Sequence, residues 1–269
     1  LIDPLPPEPV GPPAEECLSF RGGTAADLLV RGAHVVDPGA GIDRVCDVLV
    51  KAGEIAEVGE NLTTPEGCEV IEAKGKHLFP GFVDPHVHLR TPGFEYKENL
   101  ESGTRSGAAG GFTALIAMAN TNPPVDSAGA IQSLRTRASE DAHIPVAFSA
   151  TVTKGMKGRQ LTEMVALAEA GAICFTDDGL PIADAGLMRQ ALQYQRLVGR
   201  PIALHQEDPA LSRAGVMNEG AVSARLGFSG VPAVSESTMI ARDALIAEYE
   251  GGRVHVQHLS AISSIEAIA

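Results

Sequence analysis

Cysteine is scarce in this sequence. Four thiols, Cys17, Cys46, Cys68 and Cys174, are scattered along 269 residues with no C-x-x-C pair. They read as buried or incidental thiols in a reducing compartment, and a disulfide framework is excluded. Long apolar runs are missing too: none approaches the ~20 residues that a membrane span needs. The first residues lack a charged segment followed by an apolar one, so no export signal is read and a cytoplasmic location is expected. Positive charge is in deficit, with 21 Lys and Arg against 34 Asp and Glu, a formal net charge of −13. Such a balance argues against nucleic acid and acidic membranes as partners. It leaves room for an anionic substrate, which needs only local positive charge. No G-x-G-x-x-G follows a strand-like run, which counts against a nucleotide-binding fold. Lysine is absent after Lys157.

What remains is ordinary for a soluble globular protein of one or two domains, with 44% hydrophobic and 20% charged residues. Six prolines in the first thirteen positions, then Gly22-Gly23, predict a flexible arm over residues 1–26. From 27 to 78 short β-like runs (28–30, 33–36, 45–50, 55–58, 69–71) are separated by turn chemistry at Arg31-Gly32, Asp37-Pro38-Gly39, Ala52-Gly53 and Glu66-Gly67. This predicts a small β domain without a site. From 79 to 269 strands at 82–88, 112–118, 144–150, 172–178, 201–205 and 253–258 alternate with helices near 98–109, 127–141, 159–170, 184–198, 235–250 and from 261. Strict alternation implies a parallel sheet with helical crossovers, an α/β fold. Six units in one run favour a (β/α)8 barrel, of which six βα units are present, over an open doubly wound sheet. The stretch 206–234 reads as a long functional loop.

The strands end in polar residues. The first runs into His86-Val87-His88, with Arg90 two further on; an extended strand points His86, His88 and Arg90 the same way. The second leads to Asn120, the fourth to Asp177-Asp178, the fifth to His205 and the sixth to His258. In a parallel barrel these ends form the face where sites are built. Period two places Asp178 with Cys174 and Thr176 and turns Asp177 away; it places His258 with Val256 and turns His255 out. His34, His77 and His143 lie off the rim and read as structural. Glu207 and Asp208 follow His205 too closely to be assigned. Several histidines with one carboxylate fit a hydrolytic zinc centre, where the ion lowers the pKa of its water to about 7. Arg90 offers a planar fork for a carboxylate, and Asn120 could share that work. Spacing alone reaches a metal-dependent hydrolase acting on an anionic substrate.

Several motifs go further. Pro80–Arg90, Tyr96-Lys97-Glu98, Glu101-Ser102-Gly103, Gly110-Gly111-Phe112-Thr113, Asn120-Thr121-Asn122-Pro123-Pro124, Thr153-Lys154-Gly155, Phe175-Thr176-Asp177-Asp178-Gly179, Asn218-Glu219-Gly220 and His255-Val256-Gln257-His258 resemble the bacterial dihydroorotases of the amidohydrolase superfamily. The likeness runs from about Ala26 to the end. It implies a TIM-type (β/α)8 barrel preceded by a small N-terminal β domain, a partial sandwich. It implies that His86, His88, Asp178, His205 and His258 hold one or two Zn2+ ions, with aspartate in place of the carboxylated lysine of other branches. Arg90 and Asn120 would bind the substrate carboxylate. The implied reaction interconverts L-dihydroorotate and N-carbamoyl-L-aspartate in pyrimidine synthesis. A homo-oligomer and a partnership with aspartate carbamoyltransferase are expected with it.

Ala119 stands where the family usually has proline. The family's catalytic aspartate ends strand eight, which has no counterpart here, so no catalytic residue is assigned and the chain is expected to belong to a longer protein. Two alternatives stand beside this reading. One is another cyclic amidase, a hydantoinase or allantoinase, which would want a lysine on strand four. The other is a non-catalytic scaffold subunit of aspartate carbamoyltransferase, which would be expected to have lost metal histidines.

Overall fold

The computed structural model describes residues 9–269. Two compact units emerge, one of Gly22–Val83, the other of the described residues up to Arg21 together with Asp84–Ala269.

In the first unit β1 (Leu28–Asp37), β2 (Ile42–Lys51), β3 (Glu54–Gly59), β4 (Glu69–Glu72) and β5 (His77–Leu78) make one five-stranded sheet, ordered β3-β2-β1-β4 with β5 also paired to β1. Its core is small: Ala33, Val35, Cys46, Val48 and Ala73. Arg31-Gly32, expected to be a turn between two strands, lies inside β1. Gly32, at φ 68°, sits in the irregularity where the β1–β2 register shifts between Val30 and Ala33. The backbone group freed there is not wasted, because the Gly32 N–H donates to Asp47 Oδ1 at 2.8 Å. A bulge with a left-handed glycine and a turn carry the same sequence signal.

In the second unit α1 (Ala14–Cys17) precedes an alternating series: β6 (Phe82–Val87), α2 (Leu100–Ala109), β7 (Phe112–Ala117), α3 (Ala128–Asp141), β8 (Val146–Ala150), α4 (Met164–Glu169), β9 (Ala172–Phe175), α5 (Ala185–Val198) and β10 (Ile202–Leu204). Then come α6 (Pro209–Ser212), β11 (Met217–Asn218), α7 (Ala221–Leu226), β12 (Gly230–Val231), α8 (Val234–Glu250), β13 (Val254–Val256) and α9 (Ile262–Ile268). The main sheet is six-stranded, ordered β6-β7-β8-β9-β10-β13, and β7–β8, β8–β9, β9–β10 and β10–β13 pair in parallel. Spatial order follows chain order without reversal. A doubly wound sheet must reverse at a switch point, so the winding is that of a barrel. The stretch 206–234 is not structureless: α6 precedes β11, and α7 connects β11 to β12, the two strands pairing in parallel.

Sequence and packing agree closely here. All five residues of β8, Val146-Ala-Phe-Ser-Ala150, are buried, as expected of a parallel strand covered on both faces. Asp184 caps α5 by accepting the Leu187 N–H at 2.8 Å, and Gly199 ends it at φ 75°. Its buried face is Leu187, Met188, Ala191, Leu192, Gln195 and Val198. Gln195 belongs there because its Oε1 accepts the Arg253 N–H at 3.0 Å. Burying a leucine such as Leu192 on this face stabilises by about 1.5–3 kcal/mol.

The expected flexible arm needs correction over residues 9–21, while residues 1–8 lie outside the described residues. The Val10 N–H bonds Val198 O at 2.8 Å, and Ser19 and Val146 exchange backbone bonds at 2.9 and 3.0 Å. Cys17 is fully buried. Proline removes donors but not acceptors or apolar surface, so a proline-rich segment with one buried anchor can still dock. All four cysteines are free, and burial pushes the Cys174 thiol up to about 12.

Candidate metal centre

Five of the six main strands deliver a polar residue to the same rim. His86 lies near the end of β6, with His88 one residue past that strand. Asn120 lies three past β7, Asp178 three past β9, His205 one past β10 and His258 two past β13. Parallel strands all end on one side of the sheet, so residues remote in sequence converge. Two triads result, His86–His88–Asp178 and Asp178–His205–His258, each with its ligand atoms within 4.8 Å of one another. Asp178, 3% exposed, belongs to both. His86 Nε2 lies 3.6 Å and His88 Nε2 3.5 Å from its carboxylate; His205 Nδ1 and His258 Nε2 each lie 3.5 Å away.

Burial alone would raise the Asp178 pKa. Hydrogen bonds with His205 and His86 outweigh it, as does positive charge on His86 and His88 whenever those rings are protonated, and the carboxyl is held well below the usual range. For His88, burial dominates over attraction to Asp178 and the Asn120 bond, so its pKa is lowered and the neutral ring is favoured. Asn120 also settles which nitrogen of that ring is bare. Its Nδ2 donates to Asp178 Oδ2 at 3.0 Å and to Asp178 O at 3.2 Å, both acceptors. Its Oδ1 therefore faces His88 Nδ1, 3.0 Å away, which must carry the proton. The Nε2 lone pair is left pointing at the cluster, the arrangement that metal-ligating histidines generally adopt.

The donor set itself tests whether a metal fits. His86 Nε2 and His88 Nε2 approach to 3.3 Å, and His205 Nδ1 and His258 Nε2 to 3.1 Å. Neutral rings facing one another this closely oppose lone pairs unless a proton or a cation lies between them. One carboxylate cannot neutralise four imidazolium ions, whereas a divalent ion is satisfied by imidazole nitrogen and carboxylate oxygen. The residues fit the group.

Neighbouring residues fall as the alternation predicts, with one exception. Asp177 turns away from the cluster and is buried. Its Oδ1 accepts the Val152 and Thr153 N–H groups at 2.9 and 3.1 Å, and its Oδ2 accepts the Thr153 hydroxyl. Burial raises its pKa against those three bonds. His255 is exposed. His34 pairs with Asp43, and His143 with Glu101 and Arg21. Asp208 caps α6 through the Ala210 N–H. Arg90 is the exception: β6 ends at Val87 and Arg90 sits at φ 54°, so strand alternation does not aim it. Its charge is still felt at His88, whose pKa it helps to lower. Among the described residues its guanidinium makes no hydrogen bond or ion pair. Sequence reasoning missed Glu236, Gln206 and Asp243, which brace the histidine loops. Their partners are up to 37 residues away, beyond any local spacing signal.

A family model described as dihydro-orotase-like matches residues 75–266. The chain belongs to the dihydro-orotase-like family.

This dihydro-orotase-like chain is 44% identical over 242 residues to a dihydroorotase of Citrifermentans bemidjiense, covering 90% of this chain and 57% of that one. It is 46% identical over 241 residues to one of Pelotomaculum thermopropionicum, with 90% and 56% covered. The chain thus spans a little over half the length of the curated relatives it matches. Among solved structures it is similar to a D-hydantoinase, with TM-score 0.70, 26% identity and 89% and 54% covered. An L-hydantoinase (dihydropyrimidinase) of Arthrobacter aurescens superposes with TM-score 0.73 at 24% identity, covering 90% and 55%. That likeness carries the fold alone, a TIM-type barrel. All seven predicted site residues fall inside the segment matched by the family model.

Proposed function

We propose that the rim is the zinc-binding part of a dihydroorotase site, for reversible hydrolysis of the cyclic amide of L-dihydroorotate to N-carbamoyl-L-aspartate. The observation that carries this is the convergence of four histidines on one buried, shared carboxylate, in a chain 44% identical to proteins named dihydroorotase. His86, His88, Asp178, His205 and His258 are the proposed ligands. A divalent ion held there would supply Lewis acidity and lower the pKa of its water. The chain's own residues do the rest. Asp178 stays ionised between the two triads, and Asn120 keeps His88 in the tautomer with a bare Nε2. Arg90 offers two parallel N–H groups to the substrate carboxylate beside His88. In the forward direction water adds to the ring carbonyl carbon, the carbon–nitrogen bond breaks and the released nitrogen takes a proton. No general base is assigned among these residues. A role in pyrimidine synthesis, a cytoplasmic location, a homo-oligomer and an aspartate carbamoyltransferase partner belong to the same proposal. No helix among the described residues is long and apolar enough to cross a membrane.

A second reading, a hydantoinase-like cyclic amidase, is favoured by the likeness to solved hydantoinases. Arg90, whose guanidinium has no partner among the described residues, and the absence of lysine after Lys157 speak for the first. Retention of every rim histidine speaks against a scaffold subunit. The test is turnover of L-dihydroorotate, N-carbamoyl-L-aspartate and hydantoin by the zinc-loaded protein. Any turnover is expected to be of the first two alone. Preference for hydantoin would overturn the assignment.

A further inference from the structure

Of the acidic residues on helix α8, none of which belongs to either triad, Glu236 and Asp243 bond the loops that carry His258 and His205. They lie seven apart and so share one face of the helix. The Glu236 carboxylate reaches the loop beyond β13. It accepts the Ser260 N–H at 3.0 and 3.1 Å and the Ala261 N–H at 3.1 Å, together with the Ser260 and Ser264 hydroxyls. Ser260 stands two residues beyond His258. Asp243, 1% exposed, accepts Gln206 Nε2 at 2.7 Å, and Gln206 is the residue after His205. One helix face therefore holds the two loops whose histidine rings meet at 3.1 Å.

His258 needs holding. Its φ of 32° is a conformation that residues with a side chain rarely adopt, and one that persists only where the surroundings determine it. Packing does not supply that, because 45% of its side chain is exposed. The sheet ladder does not either: the Gln257 N–H to Leu204 O, at 3.2 Å, is the last bond before it. Among the described residues, the next backbone N–H groups with a partner are those of Ser260 and Ala261, and both donate to Glu236.

We propose that Glu236 is a positioning residue for His258, fixing the loop so that His258 Nε2 meets Asp178 and His205, with Asp243 acting likewise on His205 through Gln206. This rests on the reading of the rim as a metal centre. The competing explanation is that Glu236 only caps the N-terminus of α9, which its bond to Ala261 would also do.

The test compares zinc affinity, by competition with a chromogenic chelator, for wild type, Glu236→Gln and His258→Ala, and the visible absorption of each at saturating cobalt. Glu236→Gln keeps the size of the side chain but turns an amide donor toward donors. Glu236→Gln is expected to bind zinc about 10–100-fold more weakly and to alter the absorption per bound cobalt, and His258→Ala, which removes a ligand, to weaken zinc at least as much. If His258→Ala weakens zinc and Glu236→Gln does not, the positioning role is overturned. A Glu236→Gln protein with a lowered melting temperature and a wild-type cobalt spectrum would mean a helix cap only. If His258→Ala binds zinc as wild type does, the ligand reading itself falls, which is a separate failure. Should Glu236→Gln not fold, Ser264→Ala removes a single hydroxyl donor. It is expected to weaken zinc by a smaller factor and alter the cobalt spectrum; no change in either would overturn the proposal.

Discussion

Asn120 Oδ1 lies 3.0 Å from His88 Nδ1, and because the amide nitrogen is committed to Asp178, this contact fixes the tautomer of His88. Asn120→Ala frees the ring to rotate and to protonate at either nitrogen. Outer partners of this kind are generally worth 10–100-fold in metal affinity, so a loss of about that size is expected. Chelator competition measures it. An unchanged zinc affinity would mean that the amide does not orient the ring.

Asp178 is the one residue common to both triads. Asp178→Asn should therefore empty the whole centre, whereas His205→Ala should leave the His86–His88–Asp178 set able to hold an ion. Metal content after dialysis distinguishes them. Equal retention by the two variants would show that Asp178 is not shared.

How much of this could be read from the sequence differs by element. β8 and β9 were legible because parallel strands buried on both sides read as unbroken apolar runs. Asp178 was separated from Asp177 because the extended pairing continues past the end of β9, where the Thr176 N–H, one residue on, still bonds Ala150 O at 2.8 Å. Alternation does not aim Arg90, because the strand stops at Val87 and the left-handed turn that follows obeys no period. Gly32 passed for a turn because a bulge uses the same residue for the same backbone reason. Glu236 left no trace in the sequence: in the first turn of a helix it reads as solvated charge, and its donors lie in a loop more than twenty positions on.

Arg90 carries the substrate assignment. A charge-assisted bond to a carboxylate is worth about 1.5–3 kcal/mol, so Arg90→Ala should raise KM for dihydroorotate by about 10–150-fold. Arg90→Lys keeps the charge but loses the fork and should recover only part of that. Steady-state kinetics on dihydroorotate provide the check. A loss confined to kcat, with KM unchanged, would sink the carboxylate role.

Asp177 is a stability residue beside a candidate ligand. Its carboxylate receives two backbone N–H groups and one hydroxyl, all buried. Asp177→Ala leaves these donors without a partner at about 1–3 kcal/mol each. A total loss of about 3–5 kcal/mol is expected once the chain relaxes. Urea denaturation measures it. A loss under about 1 kcal/mol would mean that water replaces the carboxylate.

Glu236 makes the stability of the α8–α9 region depend on pH, and the sign follows from the direction of its shift. Burial would raise its pKa, but the bonds from Ser260, Ser264 and Ala261 outweigh that and hold it below its ordinary 4.5. A carboxyl depressed in the folded state stabilises fully above its unfolded pKa, and that contribution is lost as pH falls through the folded value. The difference in melting temperature between wild type and Glu236→Gln should therefore be largest at neutral pH and shrink below about pH 4.5. Other carboxylates titrate equally in both proteins and cancel in the difference. A difference that stayed constant down to about pH 3 would show that the donors recognise the shape of the side chain and not its charge.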